Sequence, residues 1–322
     1  MSFAETRHWL CGPVVAVATP FRDDFSLDLP GLAANIEAMI ERGIRTGDGA
    51  LLVGGAAGEF PTLSSAERKE VMRASVAAAA GRVPVMTSIQ DTDTREIVDL
   101  VRFAADAGVA GVQLGATYYY PATEADLMRL VERVDRAATI PLMVYSTWWE
   151  GGVTMTGPIL RRLAEFEHVE AVKWSAPDVD GFTAGLAAIA DKLVVIDNQG
   201  LHVWGHLLGA RGFVTHVGNF WPEYVVELWH ELERADYPAA TRRIASFKWA
   251  WAEFAGRVAA VSGGEGPFIK AGLEAVGLHA GPPRPPSVRA SGALLADLRE
   301  LFHAKGVPGL VHSPDRLVAH SA

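Results

Sequence analysis

The chain has 322 residues, 49% of them hydrophobic and 21% charged, and carries a formal net charge of −9. That balance supplies a sizeable buried core and excludes a disordered chain, while the acidic surplus, with no basic stripe to offset it, excludes nucleic acid and anionic membrane surfaces as partners. A single cysteine, Cys11, excludes an intramolecular disulfide framework; with no signal-peptide pattern at the N-terminus and no apolar stretch near the ~18 residues of a membrane span, the sequence predicts a cytoplasmic protein.

Short apolar runs rich in β-branched residues alternate with amphipathic stretches of helical period, the pattern of βα units on a parallel sheet. A strand at 14–18 precedes a helix at 29–42, a strand at 50–54 a helix at 65–80, and a strand at 83–89 a helix at 94–107. The strand at 111–114 leads to a helix at 124–137, and the strand at 141–146 to a helix at 158–166. Strands at 170–174 and 193–196, a helix at 201–208, a strand at 212–216 and a helix at 222–234 complete the series. Ser64 and Glu67 have capping-box spacing ahead of the second of these helices. About three more helical patterns follow, and the Pro-rich segment 281–286 reads as a surface connection within them.

Eight strands, with no Gly-rich dinucleotide turn, predict a (β/α)8 barrel over residues 1–234. Residues 235–322 are expected to pack on it as a C-terminal helical extension, forming one structural unit.

Active sites of such barrels lie at the C-terminal ends of the strands, where unusual polar residues become candidates. Lys173 ends the run Val169-Glu170-Ala171-Val172-Lys173-Trp174 and shares a strand face with Ala171. If that face points into the lumen, burial disfavours the ammonium and yields a neutral amine that attacks a carbonyl. At the rim it would instead be a charged lysine snorkelling to solvent. Tyr145 ends the neighbouring strand and is either a proton carrier or a half-buried aromatic with a structural hydroxyl partner. Gly54-Gly55-Ala56-Ala57-Gly58-Glu59 follows the second strand, and its backbone N–H groups could hold a carboxylate. Asn198 and Val214, at the ends of the last two strands, join Gly55, Ala56, Ala57 and Glu150 as expected substrate-binding positions.

Taken together, these residues resemble the dihydrodipicolinate synthase and N-acetylneuraminate lyase family of pyruvate-dependent class I aldolases. The resemblance runs from about Gly12 to Gly277 and rests on Thr19-Pro20-Phe21, Gly55 to Glu59 followed by Pro61-Thr62-Leu63, Tyr118-Tyr119-Tyr120-Pro121, Tyr145 and Lys173. It implies a Schiff base on Lys173, proton relay by Tyr145, and Tyr118 reaching across a subunit interface of a homodimer or homotetramer. The substrate it implies is pyruvate or another 2-oxo acid, with no cofactor and no metal.

Ala56 and Ala57 stand where the family motif has two hydroxyl residues, and Glu150 where the synthase has an arginine for its second substrate's carboxylate. These departures predict a divergent member rather than a true dihydrodipicolinate synthase, because an anionic partner at Glu150 would meet repulsion instead of a bidentate clamp. Trp148 and Trp149 either make the mouth apolar, favouring an aromatic or bulky substrate end, or pack between subunits. An aldolase or hydro-lyase acting on a sugar-derived 2-oxo acid is the main expectation. A 2-oxo acid sensor with reduced catalysis is the alternative that the two alanines suggest. A metal-dependent hydrolase would rest only on His202, His206 and His216.

Overall fold

The computed structural model describes residues 3–150 and 153–310. Helix α1 (Phe3–Trp9) leads into β1 (Gly12–Ala16), followed by α2 (Leu29–Glu41), β2 (Ala50–Val53), α3 (Ser65–Ala79), β3 (Val85–Ser88), α4 (Thr94–Asp106) and β4 (Gly111–Gly115). Then come α5 (Glu124–Asp135), β5 (Leu142–Tyr145), α6 (Gly157–Leu163), β6 (Val169–Trp174), α7 (Val179–Ile189), β7 (Val194–Asp197), α8 (His202–Leu207), β8 (Gly212–Thr215) and α9 (Pro222–Glu233). Three further helices, α10 (Tyr237–Ala259), α11 (Gly266–Ala275) and α12 (Gly292–Lys305), end the described chain. The strands pair in parallel from β1 to β8, and β8 returns to β1, closing the (β/α)8 barrel that the sequence predicts.

Strand alternation sorts the side chains. Val14, Leu52, Met143, Ala171, Val194 and Ile196 form one cluster inside the barrel, while Val15, Leu51, Val144, Val172 and Val195 pack outward with the helices. Closure requires a close backbone approach: Gly212 is the Cα partner of Gly12, and a Cβ on Gly212 would lie 2.2 Å from the Gly12 carbonyl oxygen. Helix α1, not foreseen from sequence, packs against β6 and β7. Leu10, which follows it, joins the inner cluster, and Thr6 donates its hydroxyl to Glu170. The capping box at α3 is present, with Glu67 N–H donating to Ser64 Oγ at 3.2 Å and Ser64 N–H to Glu67 Oε2 at 2.9 Å.

Helix α7 received no bounds from the sequence, although Phe182, Leu186 and Ile189 face the core at helical spacing. Its sequence is dominated by Gly and Ala because Trp174 lies on it: a Cβ at Gly185 would meet Trp174 Cζ2 at 2.2 Å, and Trp174 Nε1 donates to the Phe182 carbonyl at 3.0 Å. Among the described residues no helix is long and apolar enough to cross a membrane.

The C-terminal helices share a hydrophobic cluster with α2 and α9. Phe220, just before α9, packs on Trp251 of α10 with ring centroids 4.8 Å apart and stacks on Phe302 of α12 at 5.0 Å. A buried ion pair fastens α11 to the turn after β2, with Lys270 Nζ 2.5 Å from Glu59 Oε1 and side chains 3% and 7% exposed. Lys270 Nζ also donates to the Pro282 carbonyl at 3.1 Å and sits 4.0 Å from the Phe21 ring centroid.

Lys270→Met leaves the Glu59 carboxylate buried without its cation, and the expected cost is about 3 to 5 kcal/mol in denaturant unfolding. Glu59→Gln/Lys270→Met should recover much of that loss. If instead the single variant unfolds at the wild-type midpoint, the pair contributes nothing to stability. Burial, opposed by the Glu59 charge, lowers the Lys270 ammonium to about 8 from 10.5. The unfolded lysine therefore binds its proton more tightly. This group's contribution is constant below about pH 8 and grows more favourable between about pH 8 and 10.5, a rise that Lys270→Met should lack.

Candidate active site

A cavity of about 590 Å³ opens at the C-terminal ends of the strands. Lys173, the penultimate residue of β6, faces it with only 7% of its surface exposed. Tyr145, at the end of β5, is its Cα partner across the β5–β6 pairing, so both side chains leave the sheet on one face. The Lys173 Nζ lies 3.9 Å from the centroid of the Tyr145 ring. Reciprocal hydrogen bonds fix the two strand ends, Ser146 Oγ donating to the Ser175 carbonyl at 2.8 Å and Ser175 Oγ to the Ser146 carbonyl at 3.1 Å. The lysine is thus in the lumen, not snorkelling at the rim.

The turn after β2 supplies a second wall, with Gly55, Ala56 and Ala57 lining the cavity. Its backbone folds on itself: Glu59 N–H donates to the Ala56 carbonyl at 3.0 Å and Phe60 N–H to the Gly55 carbonyl at 3.2 Å. Glu59 takes φ of 57°, in the left-handed region a residue with a side chain seldom adopts. It is held there by Lys270 and by the Arg284 N–H, which donates to Glu59 Oε2 at 3.2 Å. Thr19 Oγ1 donates to the Gly58 carbonyl at 2.9 Å, which gives the Thr19-Pro20-Phe21 run a structural task beneath the turn.

Asn198 and Val214 also line the cavity. Tyr118 does not: it is half-buried with its ring edge-on to Phe60, centroids 6.2 Å apart, and stands away from the cavity in the single chain. Glu150 closes the short turn Trp148–Glu150, and its side chain lies outside the described residues. Trp149 lines the cavity, is 46% exposed, and meets Tyr145 with ring centroids 5.9 Å apart, whereas Trp148 is half-buried.

The three histidines separate. His206 faces Glu233 and Tyr237 on the outside, and His202 bonds Asp197 at 2.7 Å. His216 approaches Glu265 at 3.3 Å. Among the described residues no three His, Cys, Asp or Glu side chains gather as a metal site.

Sequence reasoning missed the part of the wall that the C-terminal helices contribute. Lys248 and Trp251 of α10, with Glu265 and Phe268 at the start of α11, line the same cavity. Lys248 Nζ donates to the Gly200 carbonyl at 2.5 Å, and burial lowers its ammonium, opposed by Asp197. Nothing local in those segments marks them as site residues, since only the long-range packing of α10 and α11 aims them at the mouth.

Fold and site together define a (β/α)8-barrel protein with a buried lysine and a tyrosine on adjacent strands at the barrel mouth. The chain belongs to the dihydrodipicolinate synthetase family, whose profile matches residues 10–305. It is 30% identical over 301 residues to the 4-hydroxy-tetrahydrodipicolinate synthase of Exiguobacterium sibiricum, covering 92% of this chain and 99% of that one. The crystal structure of dihydrodipicolinate synthase from Aquifex aeolicus superposes with a TM-score of 0.83 at 25% identity, covering 93% of this chain and 99% of the other. That of YagE from Escherichia coli K12, a family member in complex with pyruvate, superposes with a TM-score of 0.82 at 25% identity, covering 92% and 99%.

Proposed function

We propose that this chain is a class I lyase in which Lys173 forms a Schiff base with pyruvate or a sugar-derived 2-oxo acid, cleaving or joining a C–C bond or eliminating water. The observation that carries this reading is the buried Lys173 amine 3.9 Å from the Tyr145 ring at the wall of the mouth cavity. An amine there adds to the 2-oxo carbon, and the protonated imine draws in the electron pair released at the neighbouring carbon. Membership of a family that includes a synthase and a pyruvate-bound protein supports it.

The turn 55–57 would receive the substrate carboxylate on backbone N–H groups, and Tyr145 would carry the protons of carbinolamine collapse. No arginine occurs among the described residues lining the cavity, and Trp149 adds an apolar plane. Both features favour a bulky or hydroxylated substrate end over a compact dicarboxylate, and therefore argue against dihydrodipicolinate synthesis. A homodimer or homotetramer in the cytoplasm, with Tyr118 lent across the subunit contact, belongs to the same reading.

The test is mass measurement after sodium borohydride reduction in the presence of pyruvate. The expected result is one covalent pyruvate-derived adduct per chain. An unchanged mass would overturn the reading.

A further inference from the structure

Glu265 occupies the N-cap position of α11, yet its side chain makes no capping hydrogen bond. Its carboxylate lies instead 3.3 Å from His216 Nε2, at the end of β8, and both residues line the cavity that holds Lys173. The Glu265 side chain keeps 39% of its exposure and His216 26%, so the pair is open to a bound molecule rather than sealed in the core. His216 is steadied further by the Phe268 ring, edge-on with centroids 5.4 Å apart.

We propose that His216, positioned by Glu265, is a second proton carrier of this site and exchanges the proton at C3 of the imine-bound 2-oxo acid. The proposal rests on the Schiff-base reading above and deepens it. A proton carrier other than a hydroxyl relay is needed because the turn after β2 offers Ala56 and Ala57. An imidazole is the side chain that both takes and returns a proton near neutral pH. The 3.3 Å contact of Nε2 with the Glu265 carboxylate favours the tautomer protonated at Nε2, which keeps the lone pair on Nδ1, the division of labour of an imidazole oriented by a carboxylate.

Burial works against the Glu265 charge, but the charge and hydrogen bond of His216, with the Lys173 ammonium, hold its carboxyl down to about 2. It therefore stays ionised and orients the ring rather than taking the proton itself.

The step balances without a co-reactant. The Lys173 amine adds to C2 of pyruvate, a proton from solvent passed on by Tyr145 reaches the C2 oxygen, and water leaves, giving the protonated imine. His216 takes a proton from C3; the C–H pair becomes the C2=C3 bond, and the C=N pair moves onto Nζ. The products are a neutral enamine and an imidazolium, and return of the proton to C3 regenerates the imine.

The other titratable groups lining the cavity are Tyr145, Lys173, His202 and Lys248. His202 is bound to Asp197, whose Oδ1 also accepts the Gln199 and Gly200 N–H groups at 2.7 and 3.1 Å, which makes that second imidazole–carboxylate contact part of the loop scaffold.

Pyruvate in D₂O reads the step by itself, through loss of its methyl proton signal in NMR, alongside borohydride trapping of each variant. In His216→Asn the expected exchange rate falls ~100-fold or more while pyruvate is trapped as in wild type. In Glu265→Gln it falls ~10-fold, and Glu265→Asp, which keeps the carboxylate, recovers most of that loss. If wild type traps no pyruvate, the Schiff-base reading fails. If wild type traps and exchanges but His216→Asn exchanges equally fast, the proton-carrier assignment alone fails. Loss of trapping together with exchange in His216→Asn would also overturn it, since the residue would then serve imine formation or the fold. Wild-type exchange in Glu265→Gln, or no recovery in Glu265→Asp, would overturn the positioning role.

Discussion

Lys173→Ala is expected to abolish the borohydride-stable adduct with every 2-oxo acid tested, while the protein still unfolds in one transition near the wild-type midpoint. The reason for total rather than partial loss is geometric. Among the described residues only this amine shares the mouth cavity, the inner strand face and the Tyr145 ring. Lys248 also lines the cavity, but its Nζ donates to the Gly200 carbonyl at 2.5 Å, and Lys270 is committed to Glu59. Truncation removes a buried polar group and leaves a gap that opens onto the cavity, so little of the core is disturbed. Peptide mapping of the wild-type adduct checks the same point: label on Lys248, or an adduct that survives in Lys173→Ala, would move the imine to another lysine.

The barrel was legible because most of its strands are short apolar runs buried on both faces, and because αβ alternation leaves few other topologies. Boundaries shifted by a residue or two where Gly and Pro flank the runs; β1, read at 14–18, spans Gly12–Ala16. That Lys173 and Ala171 share a strand face followed from strand period alone, whereas the choice of lumen over rim needed the closed barrel. Helix α7 received no bounds from the sequence although Phe182, Leu186 and Ile189 form an apolar stripe, because the Gly and Ala residues around them, with Gly185 fitted to Trp174, dilute it. Lys248 and Glu265 escaped for a different reason: which side chain of a C-terminal helix reaches the mouth depends on how α10 and α11 cross α9. That crossing is fixed by the packing of Phe220, Phe247, Trp251 and Phe302, not by any local motif. His216 carried a signal, but read beside His202 and His206 it pointed to metal chemistry; only the fold shows that the three face different partners.

Tyr145→Phe is expected to lose ~10²- to 10⁴-fold in turnover while still reaching the full adduct mass with pyruvate after long incubation. The substitution keeps the ring, and with it the face 3.9 Å from Nζ and the edge contact to Trp149 at 5.9 Å. Only the hydroxyl is removed. Collapse of the carbinolamine needs a proton delivered to the departing oxygen, and hydrolysis of the imine needs one removed from the incoming water. Both steps occur at the carbon bonded to Nζ, beside the strand partner of Lys173, and so fall to Tyr145. Water can replace the phenol slowly, so the imine still accumulates at equilibrium, whereas every catalytic cycle pays the slower rate at both ends. The signature is therefore a slow approach to an unchanged adduct yield. Deuterium exchange at C3 of imine already formed should remain fast, because that proton is assigned to His216. Near-normal turnover would reduce Tyr145 to a packing residue. A lost adduct yield with an intact fold would mean that the hydroxyl holds the imine in place rather than moving its protons.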